Sequence, residues 1–207
     1  IASRVSFFTN RLLKNSIFRR ILQRVLGISA QRRLPRFTQT LFLESQRVLR
    51  HQNSGTPGSN KPTVVYFVDY FANHHDPELA EAFVRVLEHN GYRVFIPPAQ
   101  TVSGMAMFSN GDLAGARTLA EQNIRELIEP AREGYAIVCT EPTAALCLTQ
   151  EYPMLVQNDD AGIVAQQTTD AGSFLADLHR RGLLKRDFSP LPMRFAWHTP
   201  CHVKALR

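Results

Sequence analysis

The chain has 207 residues, of which 44% are hydrophobic, so it is long enough for one well-buried domain with an appendage. Its apolar runs fall short of the roughly 18–20 residues that span a bilayer, and its basic N-terminal stretch lacks the pattern of a secretory leader. Its three cysteines form no C-x-x-C pair, which excludes a disulfide framework and a self-contained zinc site. We therefore expect a soluble protein of the cytoplasm.

The net charge of +6 is concentrated near the N-terminus. Residues 1–50 contain eleven Arg and Lys residues and a single acid, Glu44, so the rest of the chain is slightly acidic. A domain that reads nucleic acid would carry the positive charge itself. We predict no nucleic-acid partner.

A basic amphipathic helix is predicted from Arg11 to Leu26, where apolar residues recur at helical spacing and Gly27 ends the pattern. Its basic face is either a surface for an acidic partner or the anionic inner face of the membrane, or the solvated side of a connecting helix. We favour the connector. Residues 1–51 are then a basic helical arm that contributes little to the main core, and residues 52–62 are a turn-rich linker.

Strand and helix signals alternate from residue 63 onward. In chain order the predicted elements are a strand at Thr63–Val68, a helix capped by Asp76 that ends at Asn90-Gly91, a strand at Arg93–Ile96, a helix from about Asp112 that Pro130 stops, a strand at Tyr135–Cys139, a short helix at Pro142–Tyr152, one or two helices between Ile163 and Arg181, and a strand at Met193–Trp197.

This alternation predicts an α/β fold: a Rossmann-like parallel sheet with flanking helices, preceded by the basic arm. In such a sheet the loops that follow the strands meet at one edge, where binding sites form. We expect the loops 69–75, 97–110 and 140–143 to converge there.

Several short segments in and between these loops follow one another in a recognisable order. They are Asn73-His74 with Pro77-Glu78-Leu79, the stretch from Val86 to Val94, Ser109 to Leu113, Glu151-Tyr152-Pro153, Leu178 to Gly182, and His198 to His202. In this order they resemble the cysteine-rich (CCG) domain family. That family occurs in the iron–sulfur subunits of anaerobic glycerol-3-phosphate dehydrogenase and glycolate oxidase and in fused FAD and iron–sulfur oxidases.

The resemblance places cluster-binding cysteines where this chain has other residues. Family members have a cysteine at Tyr70, a Cys-Cys-Gly at Val102, Ser103 and Gly104, and a Cys-x-x-Cys that begins at Glu141 and ends at Ala144. Cluster iron is held by cysteine sulfur. We therefore expect residues 63–192 to be a degenerate CCG-type domain that keeps the scaffold and holds no cofactor.

The emptied crevice should be filled by neighbouring side chains. We expect the bulk of Tyr70 and Val102 to occupy much of it. Glu141 should turn toward solvent, His74 or a backbone donor, because an unpaired buried carboxylate is costly.

The motif His-Thr-Pro-Cys-His matches the start of a second unit of the family. We expect residues 193–207 to open this truncated unit, and Cys201 to be a metal ligand only in the full-length protein. Since the chain begins at Ile1 without Met and stops at Arg207, we interpret it as a fragment.

The resemblance implies that the parent protein is the electron-transfer part of a flavin-linked dehydrogenase. Its substrate would be glycerol 3-phosphate or a 2-hydroxy acid such as glycolate, lactate or 2-hydroxyglutarate. A [4Fe-4S] iron–sulfur cluster and FAD are implied for the parent protein or complex, with a flavoprotein dehydrogenase and a ferredoxin-like domain as partners. The fragment alone would be a non-catalytic scaffold.

The alternative is a non-redox module that binds a small molecule or a protein. Its pocket would be the emptied crevice, lined by Asp69, Asn73, His74, Ser103 and Glu141. A nucleophilic Ser103 would need a positioned base and acid, which the neighbouring sequence does not supply.

Other reactive side chains have simpler interpretations. Cys139 ends a buried strand and Cys147 lies on an apolar helix face, so both are expected to be core-filling thiols. The pair His74-His75 with Glu141 is a candidate metal site, but adjacent histidines point apart on most backbones. We favour a structural role for them.

Overall fold

The structure is a computed structural model that describes residues 5–45 and 61–206. Nearly all of the predicted linker, residues 52–62, lies outside the described residues. None of the helices within the two described ranges is both long and apolar enough to cross a membrane.

Four short strands form one parallel sheet in the order β2-β1-β3-β4. They are β1 (Thr63–Phe67), β2 (Arg93–Phe95), β3 (Ala136–Cys139) and β4 (Thr168–Asp170). With helices on both faces of this sheet, the predicted α/β fold is confirmed.

The helices of the described residues occur before, between and after the strands. They are α1 (Ser6–Lys14), α2 (Ser16–Leu26), α3 (Tyr70–His74), α4 (Pro77–His89), α5 (Met105–Ser109), α6 (Leu113–Arg132), α7 (Pro142–Leu146), a π-helical turn (Cys147–Glu151), α8 (Tyr152–Val156), α9 (Asp159–Gln167), α10 (Ala171–Arg180) and α11 (Cys201–Ala205).

The sheet is buried on both faces because successive residues of β1 point to opposite sides. Val65 and Phe67 pack into the cluster that contains residues of α6 to α9. Val64 and Tyr66 pack into a second cluster, with α4 and part of α10. All four side chains are at most 1% exposed, which is typical of a central parallel strand.

Phe42 of the arm belongs to the second cluster and is only 1% exposed. Its ring lies 6.3 Å from the ring of Tyr66, and its backbone N–H donates to the carbonyl of Asn73 at 3.2 Å. The prediction that residues 1–51 contribute little to the core is therefore wrong at this segment, because burial of an aromatic ring holds it on the sheet.

The predicted helix from Arg11 to Leu26 is two helices rather than one. Asn15 interrupts it with an extended backbone, and its side chain accepts hydrogen bonds from the N–H groups of Ile17 and Phe18. An asparagine that caps a new helix in this way ends the preceding one.

Three further boundaries differ from the sequence prediction. Helix α6 runs past Pro130, because a proline in the last turn removes only one helical hydrogen bond. The helical segment that starts at Pro142 continues through the π-helical turn to Val156. Residues Met193–Trp197 form no strand, and the side chains of Phe195 and Trp197 are 75% and 85% exposed, since no strand in the described chain pairs with them.

Candidate functional site

The strand order places a crevice between the loops that leave β1 and β3. From β1 the chain moves to β2 on one side of the sheet, and it returns to β3 on the other side. The carboxyl ends of β1 and β3 are thus the switch point at which open parallel sheets bind ligands. Asp69 and Glu141 follow these two ends, and Ser103 reaches the crevice from the loop after β2.

Asp69 and Ser103 form the buried centre of the crevice. Asp69 Oδ1 accepts a hydrogen bond from the Ser103 backbone N–H at 2.9 Å, and Asp69 Oδ2 accepts one from Ser103 Oγ at 2.7 Å. The two residues are 4% and 3% exposed. Both oxygens of this buried carboxylate therefore have partners, which offsets the cost of removing it from water.

The carbonyl of Ser103 extends this network below the crevice. It accepts hydrogen bonds from Tyr152 Oη at 3.0 Å and from Cys147 Sγ at 3.3 Å. Asn123 donates to Tyr152 Oη at 2.8 Å and to the carbonyl of Val102 at 3.1 Å. The loop after β2 is thereby held against the π-helical turn and α8.

Glu141 connects the loop after β3 to the loop after β1. Its two carboxylate oxygens accept the backbone N–H groups of Ala72 at 2.9 Å and Phe71 at 3.1 Å. These N–H groups belong to the first turn of α3, where no intrahelical acceptor is present. Burial, with a smaller contribution from nearby Asp69, raises the pKa of Glu141 to about 7.

The three predicted loops therefore do meet, but Tyr70 and Val102 do not fill the space as expected. Tyr70 is 46% exposed and stacks on the ring of His74 at 4.7 Å, while Val102 is only partly buried. The hydrogen bonds from Asp69 to Ser103 already close the crevice, which leaves no buried space for the tyrosine ring. Glu141 turns to backbone donors.

The remaining predicted crevice residues have backbone roles. Gly104 has a φ of +87° immediately before α5, a conformation that favours glycine. Ala144 is fully buried in α7.

The residues Asn73 and His75 hold the arm rather than a ligand. Asn73 is 7% exposed and its Oδ1 accepts the N–H of Leu43 at 3.0 Å. His75 Nδ1 donates to the carbonyl of Arg36 at 2.7 Å. Burial and the neighbouring His75 lower the pKa of His74. Of the proposed pocket residues Asp69, Asn73 and His74, the first two thus use their side-chain oxygens within the protein.

The side chains at the crevice do not fit an iron–sulfur cluster. Cys139 and Cys147 are both fully buried, and burial raises the pKa of Cys147 to about 12 and that of Cys139 well above its ordinary value. Both are therefore neutral thiols at pH 7, whereas cluster iron needs thiolates. Among the described residues, no three His, Cys, Asp or Glu side chains are placed to hold a metal ion.

Cys201 lies apart from the crevice as the exposed first residue of α11. His202, next to it, hydrogen-bonds through Nδ1 with Thr143 Oγ1 at 2.7 Å. This contact places α11 against α7, so the segment 193–207 reaches the edge of the sheet.

A cleft of about 680 Å³ lies between this C-terminal segment and the ends of β3 and β4. Thr140, Asp170, Arg180 and His198 contribute polar groups to its lining. Sequence reasoning missed the cleft because it missed β4, whose three polar residues give no apolar signal.

We expect replacement of Glu141 by glutamine to flatten the pH dependence of stability between about pH 4.5 and 7. The pKa of Glu141 is about 7 in the folded protein against an ordinary value of 4.5, so the folded state binds the proton more tightly. The wild type should therefore lose stability as the pH rises through this range, by about 3 kcal/mol at most, while the glutamine variant should not. Urea unfolding at a series of pH values measures the difference.

Glu78 is the matched control, because it is an exposed glutamate in the first turn of α4. The Glu78→Gln variant should follow the wild-type pH profile. A Glu141→Gln profile that also follows the wild type would show that the carboxyl group of Glu141 does not titrate in this range.

No protein-family model matches the chain, and no solved structure matches it significantly. Three curated relatives show its similarities. An anaerobic glycerol-3-phosphate dehydrogenase component, the C-type subunit of the Escherichia coli enzyme, is 25% identical over 189 residues, covering 91% of this chain and 46% of the relative. The B-type subunit of the fumarate reductase (CoM/CoB) of Methanothermobacter marburgensis is 30% identical over 173 residues, covering 79% and 31%.

The third relative is lactate utilization protein A of Geobacillus thermodenitrificans, which is 27% identical over 133 residues and covers 62% of this chain and 52% of the relative. The chain thus spans about half, or less, of the length of these relatives. It is similar to subunits of a dehydrogenase and of a reductase, and to a protein of lactate utilization.

Proposed function

We propose that the chain is a piece of the electron-transfer part of a flavin-linked dehydrogenase and that residues 63–192 are a degenerate CCG-type domain. The substrate of the whole enzyme would be glycerol 3-phosphate or a 2-hydroxy acid such as lactate. The names of two relatives, one from a glycerol-3-phosphate dehydrogenase and one from lactate utilization, support this choice.

One observation carries the proposed scaffold role: the crevice at the switch point is closed by the protein's own hydrogen bonds. Asp69 binds Ser103, and Glu141 binds the first turn of α3. The resemblance puts cluster ligands at Ser103 and Glu141. Here the same loops are joined by oxygen and nitrogen groups, so their geometry needs no metal.

In this proposal the domain docks the parts of the complex that carry electrons. The partners are a flavoprotein, which supplies FAD, and a ferredoxin-like domain, which supplies iron–sulfur clusters. Cys201 is accessible on the surface at α11 and would join ligands of the second unit in the whole protein. None of these redox steps uses a side chain of the crevice.

The proposal predicts that the purified chain, treated anaerobically with iron and sulfide, gains no visible charge-transfer absorption. Its two buried thiols and one exposed thiol cannot supply the four-thiolate shell that such bands require. Iron analysis after gel filtration provides the second measurement.

The Cys201→Ser variant is the control for iron that is held loosely by the exposed thiol. Trace iron that disappears in this variant leaves the proposal intact. Stoichiometric iron that survives gel filtration in the wild type would refute a cluster-free scaffold.

The cleft of about 680 Å³ favours the second candidate, a non-redox binding module. Its volume lies within the roughly 300–1,000 Å³ typical of small-molecule sites, and Arg180 and His198 are among its polar groups. The sequence that flanks this chain in its gene separates the candidates. Ferredoxin-type cysteine repeats upstream and a Cys-Cys-Gly downstream support electron transfer, and their absence from both flanks supports the binding module.

A further inference from the structure

A second pocket lies in the arm and is not part of the crevice. It has a volume of about 280 Å³. Four cations line it: Lys14 at the end of α1, Arg19 in α2, and Arg33 and Arg36 in the segment after α2. No acidic residue is among the residues that line it. The pocket is therefore strongly positive.

Hydrogen bonds fix the walls of this pocket relative to one another. Asn10 of α1 donates through Nδ2 to the carbonyl of Phe37 at 2.8 Å, and its Oδ1 accepts the N–H of Phe37 at 2.9 Å. The guanidinium of Arg19 donates through Nη2 to the carbonyl of Arg32 at 3.1 Å. These contacts join α1, α2 and the segment 32–37.

The same segment is joined to the α/β domain. The carbonyl of Arg36 accepts a hydrogen bond from His75 at 2.7 Å, and the N–H of Thr38 donates to the carbonyl of His74 at 2.8 Å. The pocket is thus built before any ligand arrives, so little conformational entropy would be lost on binding.

The four positive charges repel one another within this small volume. None of Lys14, Arg19, Arg33 and Arg36 forms an ion pair with any residue of the described ranges. A structure that holds like charges together without a counter-charge favours an anion at that place.

We propose that this arm pocket binds a phosphate group. Guanidinium groups present paired N–H donors that match phosphate oxygens, and a phosphomonoester carries close to two negative charges at pH 7. A single carboxylate would neutralise less of the charge. The phosphate belongs either to a free phosphorylated compound or to a phospholipid headgroup. This site is independent of the proposed electron-transfer function.

The test is calorimetric titration of the full chain with inorganic phosphate at constant ionic strength. We expect saturable binding with a dissociation constant of about 1 mM or tighter. The Arg19→Gln/Arg33→Gln variant should bind at least about tenfold more weakly, because it loses two charge-assisted donors.

The matched control is Arg20→Gln/Arg24→Gln, which removes the same charge from α2 at positions that do not line the pocket. It should keep the wild-type affinity. Equal weakening in both variants would show that diffuse charge attracts phosphate, and absence of saturable binding by the wild type would likewise overturn the site.

Two measurements guard against a folding artefact. Far-ultraviolet circular dichroism and thermal unfolding should be the same in both double variants without phosphate. The Arg19→Lys/Arg33→Lys variant keeps the charge but loses the paired donors, so it should bind with intermediate affinity. Wild-type affinity in the glutamine pair would refute the assignment of these two arginines.

Vesicles of phosphatidylcholine with and without phosphatidylglycerol distinguish the two sources of phosphate. If the pocket takes a lipid headgroup, inorganic phosphate should compete with anionic vesicles, and the Arg19→Gln/Arg33→Gln variant should bind them more weakly. If this variant loses phosphate but binds vesicles like the wild type, the phosphate group belongs to a free compound. Both results support the pocket and name its ligand.

Discussion

Replacement of Phe42 by alanine should lower the free energy of unfolding by about 3–5 kcal/mol, the usual cost of removing a buried phenylalanine ring. Phe42 is 1% exposed and packs in the cluster that contains Tyr66, Phe83 and Leu87. Its loss would leave a cavity on one face of the sheet and release the arm. Urea unfolding monitored by circular dichroism measures the change.

Phe8 provides the control, since it is also a phenylalanine of the arm but is 67% exposed. The Phe8→Ala variant should change stability by less than about 0.5 kcal/mol. A chain that begins after residue 60 lacks Phe42 and should be destabilised as well. Equal stability of the Phe42→Ala variant and the wild type would mean that the arm is an independent appendage.

Replacement of Asp69 by alanine should destabilise the protein by about 2–4 kcal/mol. The change leaves the Ser103 N–H and hydroxyl without acceptors in a buried place, and each unsatisfied buried group costs about 1–3 kcal/mol. The loops after β1 and β2 would then separate. Chemical denaturation gives the stability, and hydrogen exchange at Ser103 reports the local opening.

The Asp69→Asn variant keeps one side-chain oxygen as acceptor and should lose less stability than the alanine variant. It also removes a negative charge that helps to raise the pKa of Glu141, so that pKa should fall. Asp159, exposed in the first turn of α9, is the control, with an effect of about 1 kcal/mol or less on replacement by alanine. Wild-type stability of Asp69→Ala would contradict the central role of this carboxylate.

The central strands were predictable because they are buried on both sides. The apolar run from Val64 to Val68 and the run that ends at Cys139 have the composition that a central parallel strand requires. The edge strand β4, Thr168–Asp170, was not predictable. Its three residues are polar, and it is a strand only because β3 offers its backbone groups.

The predicted strand at Met193–Trp197 shows the opposite case. Its residues have suitable side chains, but a strand also needs a neighbour with unpaired backbone groups. No such neighbour lies beside it in the described chain. Side-chain pattern alone cannot establish that second condition.

The meeting of the loops followed from topology, whereas their bonding did not. Strand order brings Asp69, Ser103 and Glu141 to one edge of the sheet. Asp69 and Ser103 are 34 residues apart, and nothing in the local sequence pairs them. The burial of Phe42 was missed for the same reason, because its basic surroundings indicate a solvated arm and its partner Tyr66 lies beyond residues 52–62.

The order of the strands also determines what is exposed while the chain is being synthesised. Strand β1 pairs with β2 on one side and β3 on the other, and both leave the ribosome after it. Until then, its apolar residues and both of its hydrogen-bonding edges are open to other chains, which is a hazard for aggregation. The segment with Phe42 leaves the ribosome before β1, so it is the part of the described chain that is available earliest to cover Tyr66.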